Sequence, residues 1–159
     1  MSKRVLGQEH PHTLTSIANL ATTYKIQGRW MKVEELEVQV LEVRKRVLGQ
    51  EHTDILTSIG NLAMTYKEQG RWMESEELEV QVLEMRKRVL GQEHPYTLTA
   101  MNNLSYIYKL QGRIDEAITM VAEVVTLRSR ILGEDHPRTK GSMNSLERWR
   151  DEVENLVDI

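Results

Sequence analysis

Cysteine and phenylalanine are absent from the chain, and proline occurs only three times in 159 residues. Without cysteine there is neither a disulfide framework nor a thiolate metal site. No run of roughly 18 apolar residues occurs, so no segment is expected to span a bilayer. The opening Met1-Ser2-Lys3-Arg4 lacks the apolar stretch of a secretion signal. Charge of one sign is also lacking, since 21 Lys and Arg stand against 24 Asp and Glu for a net −3. That balance gives no electrostatic ground for nucleic acid or a membrane surface as partner. These absences lead us to expect a soluble cytoplasmic protein. Leu, Glu, Val, Met, Lys and Arg are plentiful instead, and their low side-chain entropy loss favours helix.

The chain repeats itself. Val5-Leu6-Gly7-Gln8-Glu9-His10 returns at Val47 to His52 and at Val89 to His94, and in altered form at Ile131 to His136. Gly7, Gly49, Gly91 and Gly133 are each 42 residues apart, and so are the glycines of Gln27-Gly28-Arg29, Gln69-Gly70-Arg71 and Gln111-Gly112-Arg113. A period of this length signals stacked units, none of which buries its apolar face alone. Glycine tolerates the left-handed turn that ends many helices, so two glycine marks per repeat predict two helices per repeat.

The first helix of each repeat is expected to open at His10-Pro11 or His94-Pro95, where proline suits the first helical position, and to stop at Gly28 or Gly112. Leu14, Ile17, Ala18, Ala21 and Tyr24 recur at spacings of three and four, as do Leu56, Ile59, Ala63 and Tyr66 in the second repeat. The second helix, from about Trp30 to Leu48, carries Val33, Leu36, Val40, Val43 and Val47, with Val38, Leu41 and Leu48 broadening the stripe. Its charges run from Glu34, Glu35 and Glu37 to Arg44, Lys45 and Arg46, complementing the helix dipole. Repeats 4–45 and 46–87 match at 33 of 42 positions, and 88–129 forms a more divergent third unit. A fourth unit is incomplete, because Arg150 and Glu154 replace its tyrosine and glycine. It is expected to run as one capping helix over about 137–157, with Met143, Leu146, Trp149, Val153 and Leu156 on one side.

These residues carry a family resemblance. Leu-Gly-Gln-Glu-His-Pro-x-Thr-Leu, Asn19-Leu20-Ala21 and Tyr24-Lys25-Ile26-Gln27-Gly28-Arg29-Trp30, with their equivalents in the second and third repeats, resemble tetratricopeptide repeats of 42 residues like those of kinesin light chains and fungal signalling-protein arrays. The resemblance implies an all-α, right-handed superhelical solenoid of antiparallel helix pairs, about seven helices forming a single array over residues 1–159. It also implies an extra eight residues over the usual repeat of 34, placed around Val43 to Gln50. It further implies a concave groove, lined by first helices, that binds an extended peptide of a protein partner. In that groove Asn19, Asn61 and Asn103 hold the position whose amide grips a peptide backbone. Thr15, Thr57 and Thr99, then Thr22, Met64 and Tyr106, then Lys25, Lys67 and Lys109 surround them, and the lysines favour an acidic ligand. The lysine and asparagine that clamp a terminal carboxylate in related chaperone-binding repeats are absent, since Ala18 and Thr22 stand there.

Residues 1–9 hold only the tail of a preceding unit, so the first helix of repeat one is expected to lack an outer partner. The alternative role is therefore a structural module that self-associates head to tail through this uncapped end, or that regulates a larger signalling protein. His10, His52, His94 and His136 recur once per repeat, which spreads them along the array and points to capping or packing instead of a metal. Trp30 and Trp72 are expected to close their hairpins, and Asn103-Leu104-Ser105 matches a glycosylation acceptor only by chance. No nucleophile with its base, phosphate loop or paired carboxylate occurs, so neither an enzyme nor a cofactor is expected.

Overall fold

The computed structural model describes residues 11–48 and 53–157. Among these, seven α-helices and no strand occur: α1 Pro11–Ile26, α2 Trp30–Leu48, α3 Thr53–Glu68, α4 Trp72–Leu90, α5 Pro95–Leu110, α6 Ile114–Leu132 and α7 Pro137–Val157. The first helix of each hairpin has 16 residues and the second, where the extra residues are expected, has 19. The fourth unit is a single helix of 21 residues. His10 and His52, and the end of the Val43 to Gln50 segment, lie outside the described residues.

Each first helix ends by the same device. Gly28, Gly70 and Gly112 take φ of 71°, 78° and 81°. The amide of Gly28 donates to the Lys25 carbonyl (3.0 Å), and that of Arg29 donates to the Tyr24 carbonyl (2.9 Å). These paired bonds satisfy the carbonyls that a helix end leaves open. The other two turns repeat them, with Arg71 to Tyr66 at 2.8 Å and Arg113 to Tyr108 at 2.9 Å. Folding back in this way lays each arginine over the tyrosine five residues earlier, with 4.9, 4.1 and 4.2 Å from the guanidinium carbon to the ring centroid. At the other end, His94 caps α5 by accepting the Tyr96 amide on Nδ1 at 3.1 Å, and His136 accepts the Arg138 amide of α7 at the same distance. The capping role expected of these two histidines is thus observed.

The chain forms two compact units, Met1–Leu78 and Glu79–Ile159, which divide within α4. In the first, α2 packs against both α1 and α3. Its core holds Ala21, Val33, Val40, Leu41, Val43, Ile55, Leu56, Ile59, Leu62 and Ala63. Ser75, at the start of α4, ties in by donating to the Ala63 carbonyl at 2.6 Å. In the second, α6 packs against both α5 and α7. Ala117, Val121, Leu146 and Trp149 are buried there, with Tyr106, Tyr108, Ile114 and Val125 packed around them.

Several expected core positions prove to be exposed. Ala18 faces solvent on α1, and Val47 and Leu156 are open in the last turns of α2 and α7, where the stripe runs past the helices it packs against. Trp72 only half covers its hairpin, at 37% exposure, and Trp30 is partly buried. A further contrast lies at one repeat position: Leu62 and Leu104 are 4% and 2% exposed, whereas Leu20 is 44% exposed.

Candidate functional site

The first helices α1, α3 and α5 each carry one of the three expected asparagines. Asn19 and Asn61 are exposed and Asn103 is partly buried. None of the three amides makes a hydrogen bond among the described residues, so each keeps its donors and its acceptor available. Helix geometry accounts for their company, because residues three and four apart share a face. Thr22 and Lys25 therefore follow Asn19 on α1, Met64 follows Asn61 on α3, and Tyr106 follows Asn103 on α5. Thr15 and Thr57 are exposed and Thr99 is half-buried.

In the first unit these residues border a cavity of about 200 Å³ between α1, α2 and α3. Of the residues expected in the groove, Thr22, Lys25, Thr57 and Asn61 line it. Asn19, Met64 and Lys67 do not. Its floor is apolar at Ile17, Ala21, Leu36 and Val40, and two charged side chains of α2, Glu37 and Arg44, also contribute. Glu37 is buried; its carboxylate accepts the Thr65 hydroxyl and pairs with the Lys25 ammonium at 3.3 Å. Arg44 reaches α3, donating to Ser58 Oγ at 2.7 Å and to the Asp54 carbonyl at 3.4 Å. Lys25 and Glu37 thus hold opposite charges together, whereas among the described residues Arg44 donates to neutral oxygens.

The second unit closes the equivalent space with its own side chains. Eighty-four residues on, two periods of 42, Asn102 stands for Ala18, Tyr106 for Thr22, Val121 for Glu37, Ser142 for Ser58 and Ser145 for Asn61. Tyr106 shares a hydrogen bond with Ser145 and meets Trp149 edge to face, with ring centroids 5.2 Å apart. Arg128, buried, donates to Ser142 Oγ at 2.9 Å, and Ser142 in turn donates to Asn102 Oδ1 at 2.9 Å. Lys109 pairs with Glu152 of α7 at 2.9 Å. Here Tyr106 and Lys109 hold α5 to α7, and Asn103 alone of the three expected groove residues is left without a partner among the described residues.

Burial and pairing shift several ionisable groups. Desolvation lowers the pKa of Arg86 and Arg128 from the ordinary guanidinium value. The bonds from Arg71 and Arg113 hold Glu74 and Glu116 below the usual carboxylate value. Tyr66 is raised, by burial first and then by Glu34, which also accepts Arg71 at 2.7 Å.

The sequence pattern places Ala18 on the core face and Glu37 and Arg44 in the charge gradient of the second helix, and it does not single out Ser58. A signal was present: arginine recurs at 44, 86 and 128, whereas its neighbour changes from Lys45 and Lys87 to Ser129. Among the described residues no group of His, Asp or Glu is placed to hold a metal ion, and no helix is long and apolar enough to cross a membrane.

Comparison with known proteins places this architecture. Two family profiles, each described as a tetratricopeptide repeat, match the chain, one over residues 54–129 and 96–156 and the other over 13–54. No curated protein matches. Among solved structures, one of nearly identical TPR-like repeats, from a Podosopora anserina protein assigned to the kinesin light chains, is 31% identical. That likeness covers 94% of this chain and 74% of that one, with a TM-score of 0.74. A singly substituted form of the same protein, with methionine in place of a glutamine, gives 31%, 94%, 74% and 0.76. BtubC from P. vanneervenii is 20% identical over 92% of this chain and 63% of that one, with a TM-score of 0.70, and shows the same fold. With its paired helices, recurring glycine turns and matches over most of its length, the chain belongs to the tetratricopeptide repeat family, whose repeats mediate protein–protein interaction.

Proposed function

We propose that the chain binds an extended peptide segment of a partner protein, using Asn19, Asn61 and Asn103 as contacts to the peptide backbone. The observation that supports this reading is the recurrence of an asparagine at one position of three first helices, with none of the three amides bonded among the described residues. An amide that only held its helix to the next would have a partner there, as Asn102 has in Ser142. Thr22, Thr57 and Lys25, at the mouth of the cavity in the first unit, and Met64 and Lys67 on α3 supply side-chain contacts. An acidic ligand would compete with Glu37 and Glu152, with which Lys25 and Lys109 already pair. A peptide array probed with wild type and with the Asn61→Ala, Asn103→Ala double variant tests the reading. The variant is expected to lose most of the bound spots, and equal binding by both would refute the assignment.

A second reading draws on Leu20, whose 44% exposure contrasts with 4% and 2% at Leu62 and Leu104. It is self-association through the outer face of α1. Light scattering over a range of concentrations tests it, and a strictly monomeric chain at high concentration would count against it.

A further inference from the structure

We propose that the cavity in the first unit receives the primary amide of a glutamine or asparagine side chain carried by the partner peptide; this rests on the peptide-binding reading above. The second unit supplies the template. There Arg128 donates to Ser142, and Ser142 donates its own proton to the amide oxygen of Asn102. The first unit keeps the arginine and the serine, as Arg44 and Ser58 at 2.7 Å, but Ala18 stands where the amide would be. Ser58 is 4% exposed and lines the cavity, and its hydroxyl proton has no acceptor among the described residues. A buried donor left in this state costs free energy that an incoming acceptor recovers.

Thr22 keeps the mouth open where Tyr106 closes its counterpart, and about 200 Å³ is room for a side chain and not merely a water. The charged groups that face the space select the chemistry. Arg44 already donates to Ser58 and to the Asp54 carbonyl and Lys25 already pairs with Glu37, so a carboxylate would set a second negative charge beside buried Glu37, which is Val121 in the filled counterpart. A lysine or arginine would face Lys25 and Arg44. A primary amide brings an acceptor for Ser58 and two donors for Glu37 and the Asn61 side-chain oxygen, with no net charge.

The test is selection of a random peptide library displayed on phage against wild type and against the Ala18→Asn, Thr22→Tyr double variant, which installs the pair that fills the second unit. Peptides enriched by wild type are expected to share a glutamine or asparagine at one fixed place, and the variant's pool is expected to lack it. A synthetic peptide from the wild-type pool should weaken about tenfold or more on changing that glutamine to glutamate, and similarly against the variant. The first of these readings is made on wild type, so it stands whether or not the variant folds well. An acidic or aromatic residue fixed at that place, or unchanged affinity after the glutamine-to-glutamate exchange, overturns the inference. If peptides are selected and lose affinity for the Asn61→Ala, Asn103→Ala variant yet ignore the amide exchange, this inference alone fails. If wild type selects no peptide, the groove reading fails with it.

Discussion

Arg44, Arg86 and Arg128 occupy one repeat position and have unequal surroundings. The first and last donate to Ser58 and Ser142. For Arg86, 8% exposed, Ala100 stands at the repeat position of those serines, and one terminal nitrogen of its guanidinium has no hydrogen-bond partner among the described residues, although the Tyr96 ring lies 5.0 Å away. Ala100→Ser should therefore stabilise the chain by about 0.5–1.5 kcal/mol, because it supplies the hydroxyl that both other arginines use. A raised midpoint in urea denaturation checks this, and no gain would mean that the serine hydroxyl turns to its own helix. The exposed pairs behave differently. Glu74 and Glu116 are held below the usual carboxylate value of 4.5 by Arg71 and Arg113. The stability they contribute is complete above 4.5 and is lost as pH falls through their lowered values. Glu74→Gln should flatten that acid limb slightly, and more in low salt than in high, as denaturation midpoints measured across about pH 2 to 6 would report (~10 Å screening length at 0.1 M).

At the scale of the helix, the glycine inside α3 and the glycine that follows it make opposite predictions. Gly70 ends α3 with φ of 78°, a conformation that costs a residue with a side chain about 1–2 kcal/mol. Gly60 lies inside α3, where an added methyl group would meet nothing within 4 Å. Gly70→Ala should thus destabilise by about 1–2 kcal/mol, while Gly60→Ala should stabilise by about 0.5–1 kcal/mol. Thermal denaturation of the two single variants separates them by sign. The end of α3 was legible in the sequence because glycine at that place has a local cause, and α2 was found over the predicted Trp30 to Leu48. The buried charges were not legible. Glu37 and Arg44 belong to a gradient from acid to base that reads as a solvated helix, whereas packing of α2 against α1 and α3 buries Glu37 and partly buries Arg44. The asparagine row could be read from recurrence alone, but the cavity beside it depends on Ala18 and Thr22 being small opposite Ser58 and Asn61, a relation between helices that no periodicity states.

For the molecule as a whole, stability in a repeat protein is approximately a sum of units and the interfaces between neighbours, so one repeat position need not have one energetic weight. Leu20, Leu62 and Leu104 make this measurable, since each follows the asparagine of one repeat position and their exposure is 44%, 4% and 2%. Truncating a buried leucine removes its transfer free energy and leaves a void, so Leu62→Ala and Leu104→Ala should each cost about 2–5 kcal/mol. Leu20→Ala removes far less buried surface and should cost about 1 kcal/mol or less. Urea denaturation of the three variants, compared at equal slope, tests the ordering. The same series at low and high protein concentration discriminates between the two functional readings, because association stabilises the folded chain by mass action. A monomeric peptide-binding array keeps its midpoint constant, and Leu20→Ala then stays a small effect throughout. A midpoint that rises with concentration in wild type, and ceases to rise in Leu20→Ala, would instead assign that exposed leucine to contact between copies of the chain.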